Sequence, residues 1–339
     1  MGTAVTTTPS ASSAAAARPM SEHKQRFTMF PIQHPKIWRM YKDQLASFWT
    51  ADEVDFSDDR RQYNEVLNDA EREFVKGVLA FFSATDAIVA LNCTSNFCAD
   101  VPILEAQVAY TYQAMMENIH SEVYSIQIDT IITDDAEKDA LFSNLGDMPS
   151  VAKKTSWADK WRLNTDAAPF PVRLVAFAIV EGLFFSGAFC AVYWLKQRNL
   201  LPGLTKSNEF IARDEGMHTD FACLMYTEYV PEDQKMTEAD IREMFREAVD
   251  VEKEFINESI KCNMIGMNAQ LMATYIEHVA DVLLTKLGYD AMYGSHNPFP
   301  FMDLIGMLGR SNFFEERPSQ YQRAGVHNED PNLNYDDEF

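Results

Sequence analysis

Two copies of a Glu-x-x-His motif stand in stretches of the sequence that are typical of helices. Glu117 and His120 lie in MMENIHSEVYS, and Glu215 and His218 lie in RDEGMHTDF. Residues three positions apart share one face of an α-helix, so each pair would present a carboxylate beside an imidazole. Two such pairs, joined by one carboxylate from each of two further helices, form the ligand set of a di-iron or di-manganese helical bundle. The sequence should therefore contain two more buried carboxylates.

Two acidic residues interrupt long uncharged stretches. Asp86 is the only charged residue in 77–99, and Glu181 is the only one in 174–195. Alone, each has an ordinary interpretation as a hydrogen-bonded or ion-paired core acid, because a buried carboxylate without a partner is strongly disfavoured. Their number, order and setting favour the metal interpretation instead. The predicted ligands are Asp86, Glu117, His120, Glu181, Glu215 and His218.

Composition limits the class of protein and its partners. The chain has 339 residues, of which 47% are hydrophobic, so it can bury a substantial core. We predict one all-α helical domain over 26–314, with tails at 1–25 and 315–339. The Ala/Ser/Thr-rich residues 1–20 are predicted to be disordered, with only weak similarity to a transit peptide or a myristoylation signal. The net charge of −22 argues against a nucleic acid partner.

The cysteines and the most apolar stretch both indicate a cytoplasmic protein. Five cysteines form an odd set without a Cys-x-x-Cys motif, as expected of reduced, buried thiols. Residues 174–195 are long enough to span a bilayer, but Glu181 lies near the middle and a buried bundle helix is equally apolar. We therefore interpret this stretch as core and expect no membrane contact.

Helix start and stop signals divide the chain into successive helices, with no convincing strand pattern. Thr50 with Glu53, and Asn68 with Glu71, have the spacing of capping boxes. The helices are predicted to cover about 35–50, 68–98, 102–132, 135–145, 151–163, 171–199, 206–229, 237–264 and 268–287.

Aromatic residues near the predicted ligands could form a dry pocket. Tyr124 lies one turn beyond His120, and Phe185 and Phe189 follow Glu181 at four-residue intervals. Core packing explains such aromatics equally well, and Tyr124 could simply be a buried, hydrogen-bonded tyrosine. Beside an oxygen-activating metal pair, however, a phenol in an apolar pocket can store an oxidising equivalent as a radical. Trp49 is first of all a packing residue, although an indole N–H beside a carboxylate could conduct an electron.

Several motifs resemble those of one known family. In chain order they include SFWTADEVD, MENIHSEVY, AFAIVEGLFFSG, SNEFIARDEGMH and SNFFEERPSQYQR, and the chain has an acidic tail that ends in Phe339. Together they closely resemble the radical-generating small subunit of ribonucleotide reductase, in its eukaryotic class I form. The resemblance extends from about Arg26 to the C-terminus.

The resemblance implies a ferritin-like bundle with two iron ions, manganese being possible, and a radical at Tyr124. It implies that Asp86, Glu117 and His120 bind one ion, and that Glu181, Glu215 and His218 bind the other, with Glu117 and a carboxylate of the second set bridging. The radical pocket would comprise Phe185, Phe189 and Ile211. Trp49, Asp214 and His120 would form a hydrogen-bonded path for electron transfer, with Arg213 nearby.

The resemblance also implies partners. The chain would form a homodimer, and its C-terminal tail would dock onto a large catalytic subunit that reduces ribonucleotides. Tyr321 would relay the radical across that interface, with Tyr335 as a second candidate, since Tyr335 replaces an apolar residue that is usual in the tail.

Other functions on the same scaffold differ in features that can be read from the sequence. An oxygenase or desaturase acting directly on an organic substrate generally has Glu as its first ligand, where this chain has Asp86. Such relatives also lack Tyr124 together with a Phe-terminated acidic tail. An iron-storage protein would be shorter, and an inactive homologue would not need the complete ligand set. The reductase small subunit is therefore the favoured interpretation.

Overall fold

The computed structural model describes residues 26–143, 149–162, 168–259 and 268–302, and these ranges contain helices and no strand. The predicted tails 1–25 and 315–339, and residues 303–314, lie outside them. The α-helices are α1 (Pro35–Ala46), α2 (Ser57–Glu65), α3 (Asp69–Asn92), α4 (Cys98–Asp100), α5 (Leu104–Ile131), α6 (Asp135–Ser143), α7 (Pro149–Arg162), α8 (Phe170–Ile179), α9 (Ser186–Gln197), α10 (Pro202–Leu224), α11 (Glu238–Ser259) and α12 (Ala269–Lys286). The all-α prediction is confirmed.

The helix α3 begins where the capping signal predicts. The Asn68 side chain accepts a hydrogen bond from the Glu71 N–H at 2.9 Å, and the Glu71 carboxylate accepts one from the Asn68 N–H at 3.0 Å. This reciprocal pair satisfies two N–H groups that a helix start leaves without partners. The helix α5 differs from the prediction, since it begins at Leu104 rather than at Pro102.

The helix α2 is absent from the predicted set, and it positions the start of α10. The carboxylate of Asp59, on α2, accepts hydrogen bonds from the N–H groups of Gly203 at 2.8 Å and Leu204 at 2.7 Å. Burial raises the pKa of Asp59 to about 6, although these two N–H groups act to lower it. A Cβ at Gly203 would lie only 2.7 Å from the carbonyl oxygen of Asp55, so the close approach of α2 to α10 requires glycine there.

Replacing Asp59 by alanine is expected to destabilise the protein by about 1–3 kcal/mol, because two buried N–H groups lose their acceptor. Urea unfolding of the metal-free protein would measure the change. Asp43→Ala on α1 is the control, since Asp43 is 66% exposed in its ion pair with Arg39. That control should cost less than about 1 kcal/mol. Equal effects of the two substitutions would show that Asp59 does not fix the start of α10.

The most apolar part of the chain forms the centre of the bundle. The sequence predicts one continuous helix there, but the structure has α8, a π turn at Val180–Phe184, and then α9. By length and composition, Phe170–Gln197 could cross a membrane, yet 94% of its most apolar window is buried inside the protein. Such burial is what a central bundle helix requires. π turns within α-helices often mark functional sites, and the described residues contain two more, at Cys93–Phe97 and Met225–Tyr229.

Candidate metal centre

Four segments of the bundle place all six predicted ligands in one region of the core. Asp86 comes from α3, Glu117 and His120 from α5, Glu181 from the π turn, and Glu215 and His218 from α10. Each of these side chains is at most 2% exposed. Asp86 and Glu181 lie in apolar sequence, whereas Glu117, His120, Glu215 and His218 occupy the buried face of helices that also carry exposed polar residues.

The ligand atoms form two groups that share Glu117. One group contains Asp86, Glu117 and His120, and the other contains Glu117, Glu181, Glu215 and His218. Within each group the candidate ligand atoms all lie within 4.8 Å of one another. This spacing can place a metal ion at the centre of each group.

Two carboxylates extend between the two groups. Glu117 Oε2 lies 3.1 Å from His120 Nδ1, and Glu117 Oε1 lies 3.0 Å from His218 Nδ1. Glu215 has the same arrangement, with distances of 3.1 Å to His120 Nδ1 and 3.3 Å to His218 Nδ1. Each of these carboxylates therefore has one oxygen facing each imidazole, as a bridging ligand requires.

A hydrogen-bonded chain fixes the orientation of His120. Its Nε2 lies 3.3 Å from Asp214 Oδ2, and because a carboxylate only accepts, Nε2 carries the proton of this hydrogen bond. Nδ1 faces Glu117 Oε2 at 3.1 Å, so a metal ion would bind at Nδ1 in place of the proton shared with that carboxylate. Trp49 Nε1 donates to the same Asp214 oxygen at 2.7 Å, and Arg213 donates to the other oxygen at 3.1 Å. The structure thus links Trp49 to a candidate ligand through Asp214.

The donor set fits a pair of cations, because several buried ligand atoms have no other partner. In the described part of the chain neither oxygen of Asp86 makes a hydrogen bond. The oxygens of Glu181 and Glu215, Oε1 of Glu117 and Nδ1 of His218 make none of good geometry, even where they lie close to one another. Four carboxylates and two imidazoles nearly neutralise two divalent or trivalent ions, and hard O and N donors suit iron or manganese. Buried polar atoms without partners are strongly disfavoured, so the cluster is chemically incomplete without cations.

The charges in the cluster affect one another strongly. Burial raises the pKa of Asp86 well above its usual value, and the neighbouring charge of Glu117 raises it further. Burial likewise raises the pKa of Glu181, with the charge of Glu215 adding to the effect. Burial acts to lower the pKa of His120, but Glu117 and the hydrogen bond to Asp214 outweigh it and the net shift is upward. Metal binding must therefore displace protons from this cluster.

Tyr124 lies in an aromatic pocket beside the ligands. Its side chain is 1% exposed, and its hydroxyl has no hydrogen-bond partner among the described residues. The ring stacks on Phe82 with centroids 4.9 Å apart, and Phe82 contacts Phe185 at 5.7 Å and Phe189 at 5.3 Å. Burial raises the pKa of Tyr124 well above its usual value, and the charge of Asp86 adds to the shift. The phenol is thus kept protonated and shielded from water.

Phe82, the ring in direct contact with Tyr124, is not among the residues predicted from the sequence. The available signal was its position on α3, four residues before Asp86 and on the same helical face. Of the predicted pocket residues, Phe185 and Phe189 reach Tyr124 through Phe82, and Ile211 is buried in the same apolar core. Tyr321 lies outside the described residues.

A helical bundle whose core joins four carboxylates to two histidines in two overlapping groups defines the class of di-metal carboxylate proteins with a ferritin-like fold. The family model described as "Ribonucleotide reductase, small chain" matches residues 26–298. Since the match covers most of its length, the chain belongs to the ribonucleotide reductase small-chain family.

Individual relatives agree with this assignment. The chain is 52% identical to a ribonucleoside-diphosphate reductase small chain of Arabidopsis thaliana over 301 residues, which cover 89% of each protein. It is 49% identical to the small chain of Trypanosoma brucei brucei, covering 91% of this chain and 90% of that one. Among solved structures, the Rnr4 homodimer of Saccharomyces cerevisiae aligns with a TM-score of 0.76 and 34% identity, over 88% of this chain and 92% of that one. These relatives do not favour an oxygenase or desaturase.

Proposed function

We propose that this chain is the radical-generating small subunit of a ribonucleoside-diphosphate reductase, with two iron ions and a stable radical at Tyr124. The observation that carries the proposal is the protected phenol of Tyr124, buried beside the ligand cluster in contact with Phe82. Asp86, Glu117 and His120 would hold one ion, and Glu181, Glu215 and His218 the other, with Glu117 bridging. Once bound, the metal pair supplies oxygen-dependent one-electron oxidation.

The residues around the centre have distinct roles in this proposal. Tyr124 gives up an electron and its phenolic proton, and then retains the oxidising equivalent. The rings of Phe82, Phe185 and Phe189 exclude water, which prevents quenching of the radical. Asp214 holds His120 in the tautomer that binds metal, and its hydrogen bond to Trp49 connects the centre with the outer part of the bundle.

The proposal is tested by reconstituting the metal-free protein with Fe(II) and dioxygen. We expect uptake of about two iron ions per chain and a tyrosyl radical signal in the low-temperature EPR spectrum. Addition of a large subunit should then give nucleotide reduction. Iron uptake without a radical signal would contradict the assignment of Tyr124, and radical formation only with Mn(II) would replace iron by manganese. Lack of any metal uptake would refute the di-metal centre.

We further propose that the chain forms a homodimer in the cytoplasm. The aligned yeast protein was solved as a homodimer. The four cysteines of the described ranges are all free, which suits a reducing compartment.

Deleting residues 328–339 is expected to abolish docking on the large subunit. The acidic, Phe-terminated segment at 315–339 lies outside the described residues, and its proposed role rests on the resemblance to family tails. We expect the dissociation constant to rise at least about a hundredfold, while iron loading and the radical signal stay unchanged. Deletion of residues 2–20 is the matched control and should leave docking intact. Unchanged nucleotide reduction after the C-terminal deletion would contradict the proposal.

In this scheme the radical crosses the subunit interface through Tyr321, with Tyr335 as the second candidate. The two are separated by Tyr321→Phe and Tyr335→Phe, each of which keeps the ring and removes the phenol. Only the variant of the relay residue should lose nucleotide reduction while retaining both docking and the Tyr124 radical.

A further inference from the structure

A buried ion pair lies behind the π turn that carries Glu181. Lys154, on α7, and Glu252, on α11, are 1% and 0% exposed, and Lys154 Nζ lies 2.5 Å from Glu252 Oε2. Taking two charges out of water is costly, and a pair of apolar residues of similar size is often at least as stable. A contribution to stability therefore does not explain why the core contains this pair.

The contacts of the ammonium group point to the π turn. Lys154 Nζ donates a hydrogen bond to the carbonyl oxygen of Phe184 at 2.6 Å. Phe184 is the last residue of the π turn Val180–Phe184, three positions after Glu181. A side-chain donor to this carbonyl fixes the direction of the peptide that closes the turn, where the i to i+4 hydrogen bonding of the α-helix is interrupted.

The same two charged residues also pack near the residues that follow the turn. The Lys154 ammonium lies over the ring of Phe81 at 3.7 Å, and Phe81 contacts Phe185 at 5.7 Å. Glu252 faces Gly187, where a Cβ would lie 2.6 Å from Glu252 Oε1. Only glycine at this position lets α9 approach the carboxylate so closely. The ion pair thus touches the turn where it closes and α9 where it begins.

We propose that Lys154 and Glu252 form a clamp that fixes the π turn and so holds Glu181 in place as a ligand of the second metal ion. This inference rests on the proposed di-metal centre. Both are positioning residues, since they act on the metal through the backbone of the turn. Burial lowers the pKa of Lys154 to about 8 and raises that of Glu252 to about 7. Both shifts agree with a charged pair whose burial costs free energy.

The clamp is tested by titrating the metal-free protein with Mn(II) and counting free ions by EPR. In the variant Lys154→Met/Glu252→Gln both charges are removed and the side-chain sizes are kept, so the fold is expected to persist. The group of Asp86, Glu117 and His120 does not involve the π turn. We therefore expect the first ion to bind within about twofold of wild type and the second at least about tenfold more weakly.

Two further variants separate the hydrogen bond from the charges. Glu252→Gln keeps the Lys154 donor to Phe184, so its second-ion affinity should fall by less than about threefold. The matched control is Lys153→Met/Glu254→Gln, which removes an ion pair between the same two helices. That pair is exposed, at 53% and 41%, and has no contact with the turn among the described interactions. Both affinities should then equal those of wild type.

The outcomes distinguish the clamp from the metal centre itself. Wild-type protein that binds fewer than two Mn(II) ions would refute the di-metal centre. Two wild-type sites together with an unchanged second affinity in Lys154→Met/Glu252→Gln would overturn the clamp. Equal weakening of both ions would show a general structural role and would overturn it as well. Circular dichroism of each metal-free variant establishes that the fold is retained.

Discussion

Replacing Tyr124 by phenylalanine should abolish the radical and nucleotide reduction while leaving the metal ions in place. The substitution removes only the hydroxyl, and no predicted ligand loses a hydrogen bond because that hydroxyl has no partner among the described residues. We expect the tyrosyl EPR signal to vanish and turnover with the large subunit to fall at least about a thousandfold. Iron content should match that of wild type.

The stability of the same variant provides a second, independent test of the environment of the Tyr124 hydroxyl. A buried hydroxyl without a hydrogen bond costs free energy, so Tyr124→Phe should be as stable as the wild-type metal-free protein, or more stable by about 1 kcal/mol. Tyr110→Phe is the matched control. Tyr110 lies on the same helix, is fully buried, and also has a hydroxyl without a partner in the described ranges, but it packs against Phe97 and Phe221. This control should keep both radical and turnover, whereas a radical that persists in Tyr124→Phe would refute the assignment.

The sequence identified the six side chains that the structure brings together in the core, because their chemistry leaves a visible pattern. Asp86 and Glu181 each stand alone in a long uncharged stretch, and a helix buried on all sides tolerates such an acid only with a partner. The two Glu-x-x-His pairs fix their own geometry, since residues three apart share a helical face. The helix boundaries were also largely predictable where a capping side chain marks them, as at Asn68.

The π turn at Glu181 was not predictable by the same reasoning. Hydrophobic periodicity distinguishes faces of a helix, but the stretch from α8 to α9 is buried on all sides and has no polar face to reveal a change of register. The turn depends on contacts from elsewhere in the fold, such as Lys154 donating to the carbonyl of Phe184. Tertiary contacts of this kind leave no pattern in the local sequence.

The burial of individual charged side chains was equally unpredictable from the sequence. Lys153 and Lys154 are adjacent lysines in a polar stretch, yet one is 53% exposed and the other 1%. Only the packing of α7 against α11 decides which of the two enters the core. Phe82 was missed for a related reason, because an aromatic residue in an apolar helix is usually core and only the fold brings it against Tyr124.

Replacing Trp49 by phenylalanine should separate formation of the radical from its use. Trp49 is buried, donates to Asp214 at 2.7 Å, and stacks on His120 with ring centroids 6.0 Å apart. Phenylalanine keeps an aromatic ring in the core but removes the N–H, so the hydrogen-bonded connection through Asp214 to the candidate ligand His120 is broken. We expect nucleotide reduction to fall at least about a hundredfold, while iron content and the Tyr124 radical remain near those of wild type.

The measurement compares turnover with the decay of the radical in the assembled complex of small and large subunits. Trp38→Phe is the matched control, because Trp38 is a partly buried indole on α1 that packs against Phe30 and Tyr41 instead of the ligand cluster. Its turnover should equal that of wild type. Full activity in Trp49→Phe would exclude the indole N–H from the transfer path. Loss of iron in that variant would instead assign Trp49 to orienting His120 through Asp214, since the acceptor that fixes the imidazole tautomer would have moved.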